Sequence, residues 1–176
     1  MDKIFLSGFG PFKGFDVNPS EVLVCSIDKK DSVVLPVSFD AVDAFLQDGF
    51  VKRFDAWLMI GVMSKGERFR LERTAKNWVC GEPDVRGVIR GEKRIDNDAP
   101  EILHGSLFQK GFRSCRSWTL SDDAGAYLCN YLYFRALQKY PNFPIGFLHV
   151  PAFQILDENT QIRILKRLLK KLESAQ

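Results

Sequence analysis

Hydrophobic residues along the chain collect in short apolar runs that alternate with amphipathic stretches. Five runs have the length and content of strands, at residues 3–7, 32–37, 55–62, 115–120 and 145–150. Pro36 interrupts the second run, which predicts a strand at the edge of a sheet. The third run, DAWLMIGV, is apolar nearly throughout, as in a strand that is buried on both faces.

Apolar residues at helical spacing predict helices between these strands. One helix is predicted to start at Asn18 and Pro19, and the others cover residues 40–54, 121–140 and 158–173. Cys25, in the first of them, is expected to be a small core residue. The alternation of strand and helix predicts an α/β fold with three α/β/α layers and a mostly parallel twisted central sheet. We expect one domain over residues 1–176.

Two stretches in the middle of the chain are less regular. Residues 63–77 are strongly charged, and on this pattern Glu72 is expected to be an exposed carboxylate in an ion pair. Its predicted partner is one of Arg70, Arg73 and Lys76. Residues 78–100 are punctuated by Gly and Pro and show little periodicity, which predicts a long loop or an irregular hairpin.

Composition narrows the classes of function. The chain has 176 residues and a net charge of +3, which is too weakly basic to predict a nucleic-acid partner. No segment reaches the ~18 consecutive apolar residues of a membrane span, and no signal peptide is recognisable. The four cysteines and two histidines lack the spacing of metal ligands, so no metal site is predicted. We therefore expect a cytoplasmic protein with reduced thiols.

One cysteine and one histidine are candidates for chemistry. Cys129 falls near the start of the predicted helix 121–140, where the helix dipole favours thiolate over thiol. His149 falls near the carboxyl end of the strand 145–150, where an imidazole could take the thiol proton. A third group would orient the imidazole, and the candidates are Asp122, Asp123, Glu72 and Asn130. The alternative is a packed core cysteine and a satisfied core histidine.

A loop rich in phenylalanine follows the first strand. Residues 8–15 read GFGPFKGF, with three glycines that permit tight turns. The phenylalanines could fold back as a lid on the core, or they could wall a small apolar pocket. The residues alone leave both interpretations open.

Four parts of the chain, taken in order, resemble one known family. They are GFGPFKG with NPS in residues 8–20, LPVSF at 35–39, ERTAKN at 72–77, and DAGAYLCN at 123–130 with GFLHVP at 146–151. These segments are similar to the motifs of pyroglutamyl peptidase I, the pyrrolidone-carboxylate peptidases. They follow the family's order and cover most of the chain, which makes the combined signal specific.

The resemblance implies a function and a set of site residues. It implies that Cys129 is the nucleophile, that His149 is the general base and acid, and that Glu72 orients the histidine. It also implies that Phe9 and Phe12 sandwich the pyroglutamyl ring. The family removes N-terminal pyroglutamate from peptides, needs no metal or cofactor, is cytosolic, and often forms dimers or tetramers.

Departures from the family's motifs keep two alternatives open. Lys13 stands where the family usually has glycine, and the segment VMSKGERF after Gly61 differs from the family's usual G-Q-A-x-G-R. One alternative is a related cysteine hydrolase that acts on another small acyl group or lactam. The other is a catalytically silent binding module of the same fold.

Overall fold

The computed structural model describes residues 3–12, 14–27, 31–49, 53–63, 65–109 and 111–174. The strands in these residues are β1 (Ile4–Phe9), β2 (Ser32–Leu35), β3 (Ala56–Val62), β4 (Phe69–Glu72), β5 (Thr74–Lys76), β6 (Ile102–His104), β7 (Trp118–Ser121) and β8 (Ile145–Val150). The helices are α1 (Pro19–Ile27), α2 (Phe39–Gln47), α3 (Leu128–Lys139) and α4 (Glu158–Ser174).

Six strands form the central sheet, in the order β2-β1-β3-β8-β4-β7. Strands β2, β1, β3 and β8 pair in parallel, whereas β4 runs antiparallel to β8 and parallel to β7. The prediction of a mostly parallel sheet is confirmed, and β2 lies at an edge as Pro36 indicated. Strands β5 and β6 form a separate antiparallel pair.

Helices cover the two faces of the sheet, because successive residues of a strand point to opposite sides. Leu58 and Ile60 of β3 pack in one buried cluster with residues of α1 and α4. Trp57 and Met59 of the same strand pack in a second cluster with residues of α2 and α3. This is the predicted three-layer α/β/α arrangement.

The start of α1 follows the sequence prediction, but one of its inward positions does not. The Asn18 side-chain oxygen accepts a hydrogen bond from the Ser20 backbone N–H at 3.0 Å, as an N-cap does. Leu23 and Val24 are buried. Cys25 is exposed, so the prediction of a core cysteine is wrong. Cys25 directly follows Leu23 and Val24, the last buried residues of this short helix.

Three other predicted bounds differ from the structure. Helix α2 ends at Gln47, and the C-terminal part of the predicted helix 40–54 lies partly outside the described residues. The charged stretch 63–77 contains β4 and β5, which the sequence did not reveal. Residues 78–100 are all described and form the predicted irregular segment, with one isolated bridge between Val79 and Lys93.

Within the described ranges, every helix is too short or too polar to cross a bilayer.

Candidate active site

A histidine and a glutamate from neighbouring strands form a buried pair in the middle of the sheet. His149 Nδ1 lies 2.9 Å from Glu72 Oε1. The Glu72 side chain is fully buried and His149 is 8% exposed. Since a carboxylate only accepts hydrogen bonds, Nδ1 donates to it and Nε2 is left as the basic nitrogen. The arrangement holds an imidazole in a defined tautomer and orientation.

Strand pairing explains how this pair forms. His149 lies in β8, whose six residues are all buried between β3 and β4. In the register of β4 and β8, Arg70 is opposite His149 and Glu72 is opposite Phe147. Residues two apart on a strand share a face, so Glu72 and His149 are diagonal neighbours on the same face of the sheet.

Cys129 approaches the same face from α3. Gly61 of β3 is paired with His149, and a Cβ atom built on Gly61 would lie only 2.7 Å from Cys129 Sγ. That hypothetical Cβ points to the same side of the sheet as the side chain of His149, because registered neighbours share a face. The absence of a side chain at Gly61 therefore makes the space that the Cys129 sulfur occupies beside the histidine.

Helix α3 begins later than predicted, and this places Cys129 at its first turn. The helix starts at Leu128 after Tyr127, which caps it without a side-chain hydrogen bond. Its first backbone N–H groups have no partner within the helix, as at every helix start. Cys129 is the second helical residue, so it belongs to the turn that carries these N–H groups.

The predicted helix start at Ser121–Asp123 is wrong, and its two aspartates have other partners. Asp122 forms an ion pair with Arg73, and Asp123 pairs with Lys76 at 2.9 Å. Both side chains are more than half exposed. These ion pairs hold the loop between β7 and α3. Among the described contacts, neither aspartate side chain forms a hydrogen bond with His149.

Asn130 also has a structural contact set. Its buried amide donates to the carbonyl oxygens of Lys76 and Trp78 and accepts from the Lys76 N–H, at 2.8 to 2.9 Å. The amide therefore fastens α3 to β5 and has no free group for the histidine. Of the four candidate orienting groups, the structure brings Glu72 to His149.

The charge pattern alone predicts an exposed Glu72, and that prediction is wrong. The predicted ion pair does form, with Arg70 Nε 3.2 Å from Glu72 Oε1. The carboxylate is nevertheless fully buried, because His149, Arg70 and the Asp123 N–H at 3.3 Å supply its polar contacts. Charge pattern alone could not separate a buried network from a solvated surface.

The Cys129 thiol is less acidic than the helix start suggested. Desolvation raises the pKa of Cys129 from an ordinary 9.0 to about 12, and the negative charge of Glu72 adds to the rise. Burial disfavours the thiolate because the thiolate is the charged form of the side chain. At neutral pH the sulfur carries its proton, so it requires a base to become a nucleophile.

A small pocket adjoins the residue that precedes α3. Its volume is about 290 Å³, and its described lining residues are Phe12, Glu82, Pro83, Asp84, Val85 and Tyr127. The Tyr127 hydroxyl donates to the Pro83 carbonyl oxygen at 2.9 Å. The Phe12 ring stacks on Phe15 with centroids 5.3 Å apart. This volume suits a small ligand.

The two phenylalanines singled out by the sequence have different positions. Phe12 lines the pocket, as the second interpretation of the Phe-rich loop predicts. Phe9 is the last residue of β1, is 3% exposed, and packs in the same hydrophobic cluster as Leu128. It is absent from the described lining of the pocket.

The loop that begins at Gly61 was a predicted site region, but no role was predicted for Gly61 itself or for Tyr127. The signal for Gly61 was its place at the end of an apolar strand, next to a candidate site. Tyr127 could have been found by its position two residues before Cys129. Neither residue type marks a site by itself, so their roles depend on the packing.

The fold, the buried pair of His149 and Glu72, and the partly buried Cys129 are typical of a cysteine-type peptidase. A sequence model of the family described as pyroglutamyl peptidase matches residues 2–162. A pyrrolidone-carboxylate peptidase from Oceanobacillus iheyensis is 33% identical over 86% of this chain and 85% of its own. Its counterpart from Thermococcus litoralis is 29% identical over 99% of this chain and 91% of its own.

Solved structures agree with these sequence relatives. The pyrrolidone carboxyl peptidase from Thermus thermophilus superposes with a TM-score of 0.79 at 27% identity, over 95% of this chain and 98% of that one. The enzyme from Thermococcus litoralis gives a TM-score of 0.77 at 25% identity, over 97% and 92% of the two chains. The chain belongs to the pyroglutamyl peptidase family, and it is a cysteine-type peptidase.

Proposed function

We propose that this peptidase removes N-terminal pyroglutamate from peptides, with Cys129 as nucleophile, His149 as base and acid, and Glu72 as the group that orients His149. The observation that carries the proposal is the 2.9 Å contact between His149 Nδ1 and Glu72 Oε1, beside the space at Gly61 that holds the Cys129 sulfur. Membership of the family supports the choice of substrate.

The proposed reaction begins with proton transfer. His149 Nε2 takes the proton of the Cys129 thiol as the sulfur attacks the carbonyl carbon of the pyroglutamyl residue. The negative charge of Glu72 stabilises the imidazolium that forms. His149 then gives the proton to the leaving amine, the C–N bond breaks, and a thioester remains on Cys129. Water, deprotonated by His149, hydrolyses the thioester and restores the thiol.

The start of α3 would stabilise the oxyanion. The backbone N–H groups around Cys129 lie at the positive end of the helix and have no intrahelical partner. A carbonyl carbon attacked by Sγ would hold its oxygen close to these donors. The sulfur and the oxyanion donors thus come from one turn of one helix.

The pocket beside Tyr127 would hold the pyroglutamyl ring. A flat, uncharged lactam fits an apolar slot, and Phe12 and Tyr127 supply aromatic surface there. The assignment of Phe9 as a second ring contact stays a prediction, since its side chain lies in the core.

Release of free pyroglutamate from a blocked short peptide tests the proposal. The wild-type protein should release pyroglutamate, and Cys129→Ser should lose nearly all of this activity, since a hydroxyl is harder to deprotonate than a thiol. Cys115→Ser, which changes an exposed cysteine, is the matched control. A Cys129→Ser protein as active as wild type would contradict the proposed nucleophile.

One feature of the pocket favours a second candidate function, the hydrolysis of another small acyl group. Glu82 lines the pocket and is exposed, and no ion pair to it is recorded among the described residues. A carboxylate there favours acyl groups that carry a positive charge, which the pyroglutamyl lactam lacks. A panel of aminoacyl-coumarin substrates separates the two functions. Cleavage of another acyl group with the pyroglutamyl compound untouched would select the second.

Location and assembly stay predictions from the family resemblance. The resemblance predicts that the protein is cytoplasmic and that it forms a dimer or a tetramer. Sedimentation of the purified protein would measure its oligomeric state.

A further inference from the structure

The strand that supplies Glu72 also supplies a cation to it. Arg70 precedes Glu72 by two residues in β4, so both side chains are on the same face of the sheet. Arg70 Nε lies 3.2 Å from Glu72 Oε1, the same oxygen that contacts His149 Nδ1 at 2.9 Å. The guanidinium and the imidazole thus share one carboxylate oxygen.

Arg70 also reaches the loop that leads to the nucleophile. Its Nη2 donates to Ser121 Oγ at 2.7 Å and to the Asp123 carbonyl oxygen at 2.8 Å. The Asp123 backbone N–H in turn donates to Glu72 Oε2 at 3.3 Å. Arg70 therefore ties β4, the end of β7 and the start of the loop before α3 into one network.

The other charged or titratable groups around the pair have partners of their own. From α3, the Cys129 sulfur lies next to Gly61, the residue of β3 that is paired with His149. The Tyr133 hydroxyl, also from α3, donates to the Glu72 backbone carbonyl. From the loop, Asp123 pairs with Lys76. In the described part of the chain, the recorded ion-pair contacts of the Glu72 carboxylate come from Arg70 and His149.

The position of Arg70 has an electrostatic consequence for His149. A carboxylate on Nδ1 favours the charged imidazolium, whereas a guanidinium on the same carboxylate opposes it. An arginine guanidinium stays charged throughout the acidic and neutral pH range. A neutral imidazole is the form that can accept a proton from the Cys129 thiol.

We propose that Arg70 is a positioning residue that restrains Glu72 and keeps His149 neutral, and so extends the activity of the peptidase toward acidic pH. The inference rests on the proposed roles of Cys129, His149 and Glu72. It adds to them a cation that acts through Glu72 and does not touch the substrate.

The test compares Arg70→Gln, which removes the charge, with Arg70→Lys, which keeps it. With a pyroglutamyl-coumarin substrate, the acidic limb of the kcat/KM profile should move up by about 0.5–1 pH unit in Arg70→Gln. It should stay within about 0.2 unit of wild type in Arg70→Lys, with KM unchanged in both. Arg73→Gln, next to Glu72 but paired with Asp122 at the surface, should leave the limb in place.

Two results would overturn the inference. One is an Arg70→Gln profile that superimposes on wild type, and the other is an equal shift in Arg70→Lys. Arg70→Met, which keeps an apolar stem along the same path, replaces Arg70→Gln if that variant does not fold.

Alkylation of Cys129 separates this inference from the proposed function. The rate at which iodoacetamide labels Cys129 is measured at each pH from the mass of the peptide that contains it. This rate depends on the base beside Cys129 and needs no substrate. If wild type does not cleave the pyroglutamyl compound but the labelling profile still shifts in Arg70→Gln, the substrate proposal fails and the role of Arg70 stands. If wild type is active and neither profile shifts, the role of Arg70 fails.

Discussion

Single side chains in this site are tested most directly at Glu72. Glu72→Gln keeps the shape of the side chain and removes the charge that stabilises the imidazolium. It also offers an amide that can donate to the histidine and stabilise the wrong tautomer. We expect kcat to fall by at least about 100-fold with a smaller change in KM. Steady-state kinetics with a pyroglutamyl-coumarin substrate measures both constants.

Glu101 offers a matched control for this change. It forms an ion pair with Arg94 and its side chain is 76% exposed, so Glu101→Gln should leave kcat within about twofold. Normal turnover in Glu72→Gln, with a native circular dichroism spectrum, would show that the carboxylate does not support the histidine.

Gly61 gives a second prediction at this scale. The Cβ of Gly61→Ala would lie 2.7 Å from Cys129 Sγ and 2.9 Å from Phe147 Cζ, so the sulfur or the ring must move. We expect a loss of about 1–3 kcal/mol in the free energy of unfolding. Because the displaced sulfur no longer meets the histidine, kcat should fall more than KM rises. Urea unfolding and kinetics measure the two effects.

Gly81→Ala is the control for crowding. At Gly81 the nearest side-chain atom is Glu92 Cγ at 3.4 Å, an ordinary contact from a flexible side chain. The Gly81→Ala protein should match wild type in both measurements. An equal loss of stability in the two variants would mean that the space at Gly61 is not specific to the sulfur.

Secondary-structure elements in the site are joined by buried polar side chains, and Asn130 joins α3 to β5. Asn130→Ala would leave the Lys76 N–H and two carbonyl oxygens without their partner. We expect a loss of about 2–4 kcal/mol in the free energy of unfolding by urea. Gln138→Ala, farther along α3 and half-buried, should cost less. A loss below about 0.5 kcal/mol in Asn130→Ala would mean that water replaces the amide.

Elements with a clean apolar pattern were predictable from the sequence. Strand β8 has the predicted bounds of residues 145–150, and α4 runs from Glu158 as predicted. Strand β4 was missed because FRLE alternates apolar with charged residues. That pattern normally means one face in water, whereas here Glu72 on the polar face is fully buried. Its burial depends on contacts with β8 and the loop before α3, which lie far along the chain.

The residue types of the candidate site could be predicted from the sequence, but the protonation state of its cysteine could not. Cys129 and His149 could be picked out as residue types near element ends, but spacing could not choose Glu72 over Asp122 or Asp123. The raised pKa of Cys129 follows from desolvation by packed neighbours. A sequence contains no direct record of that packing, so the helix start alone suggested a thiolate.

Over the whole molecule, several buried acids hold their protons at high pH. The pKa of Cys129 is raised from 9.0 to about 12, and burial raises the pKa of Tyr131 from 10.0 to about 12. Burial also raises the pKa of Tyr133. Below about pH 8 the folded and unfolded chains are both protonated at these groups. Above their ordinary values the unfolded chain releases protons that the folded chain keeps.

The sign of this difference predicts a loss of stability in alkali. Since the folded state binds more protons, the free energy of unfolding falls as pH rises from about 9 toward 12. The urea midpoint should therefore fall steadily over this window. Cys129→Ala and Tyr133→Phe should each flatten the fall, because each removes one such group. A wild-type midpoint that stays constant from pH 8 to pH 11 would contradict the prediction.

The position of β8 in the sheet has a consequence for the newly made chain. Strand β8 is the last strand of the sheet in sequence, yet it lies between β3 and β4. Until residues 145–150 leave the ribosome, β3 and β4 have no shared neighbour and Cys129 has no base beside it. We infer that the nascent chain places a base beside Cys129 only after residues 145–150 have been made, and chains halted before residue 145 should be labelled at Cys129 with the pH dependence of an ordinary thiol.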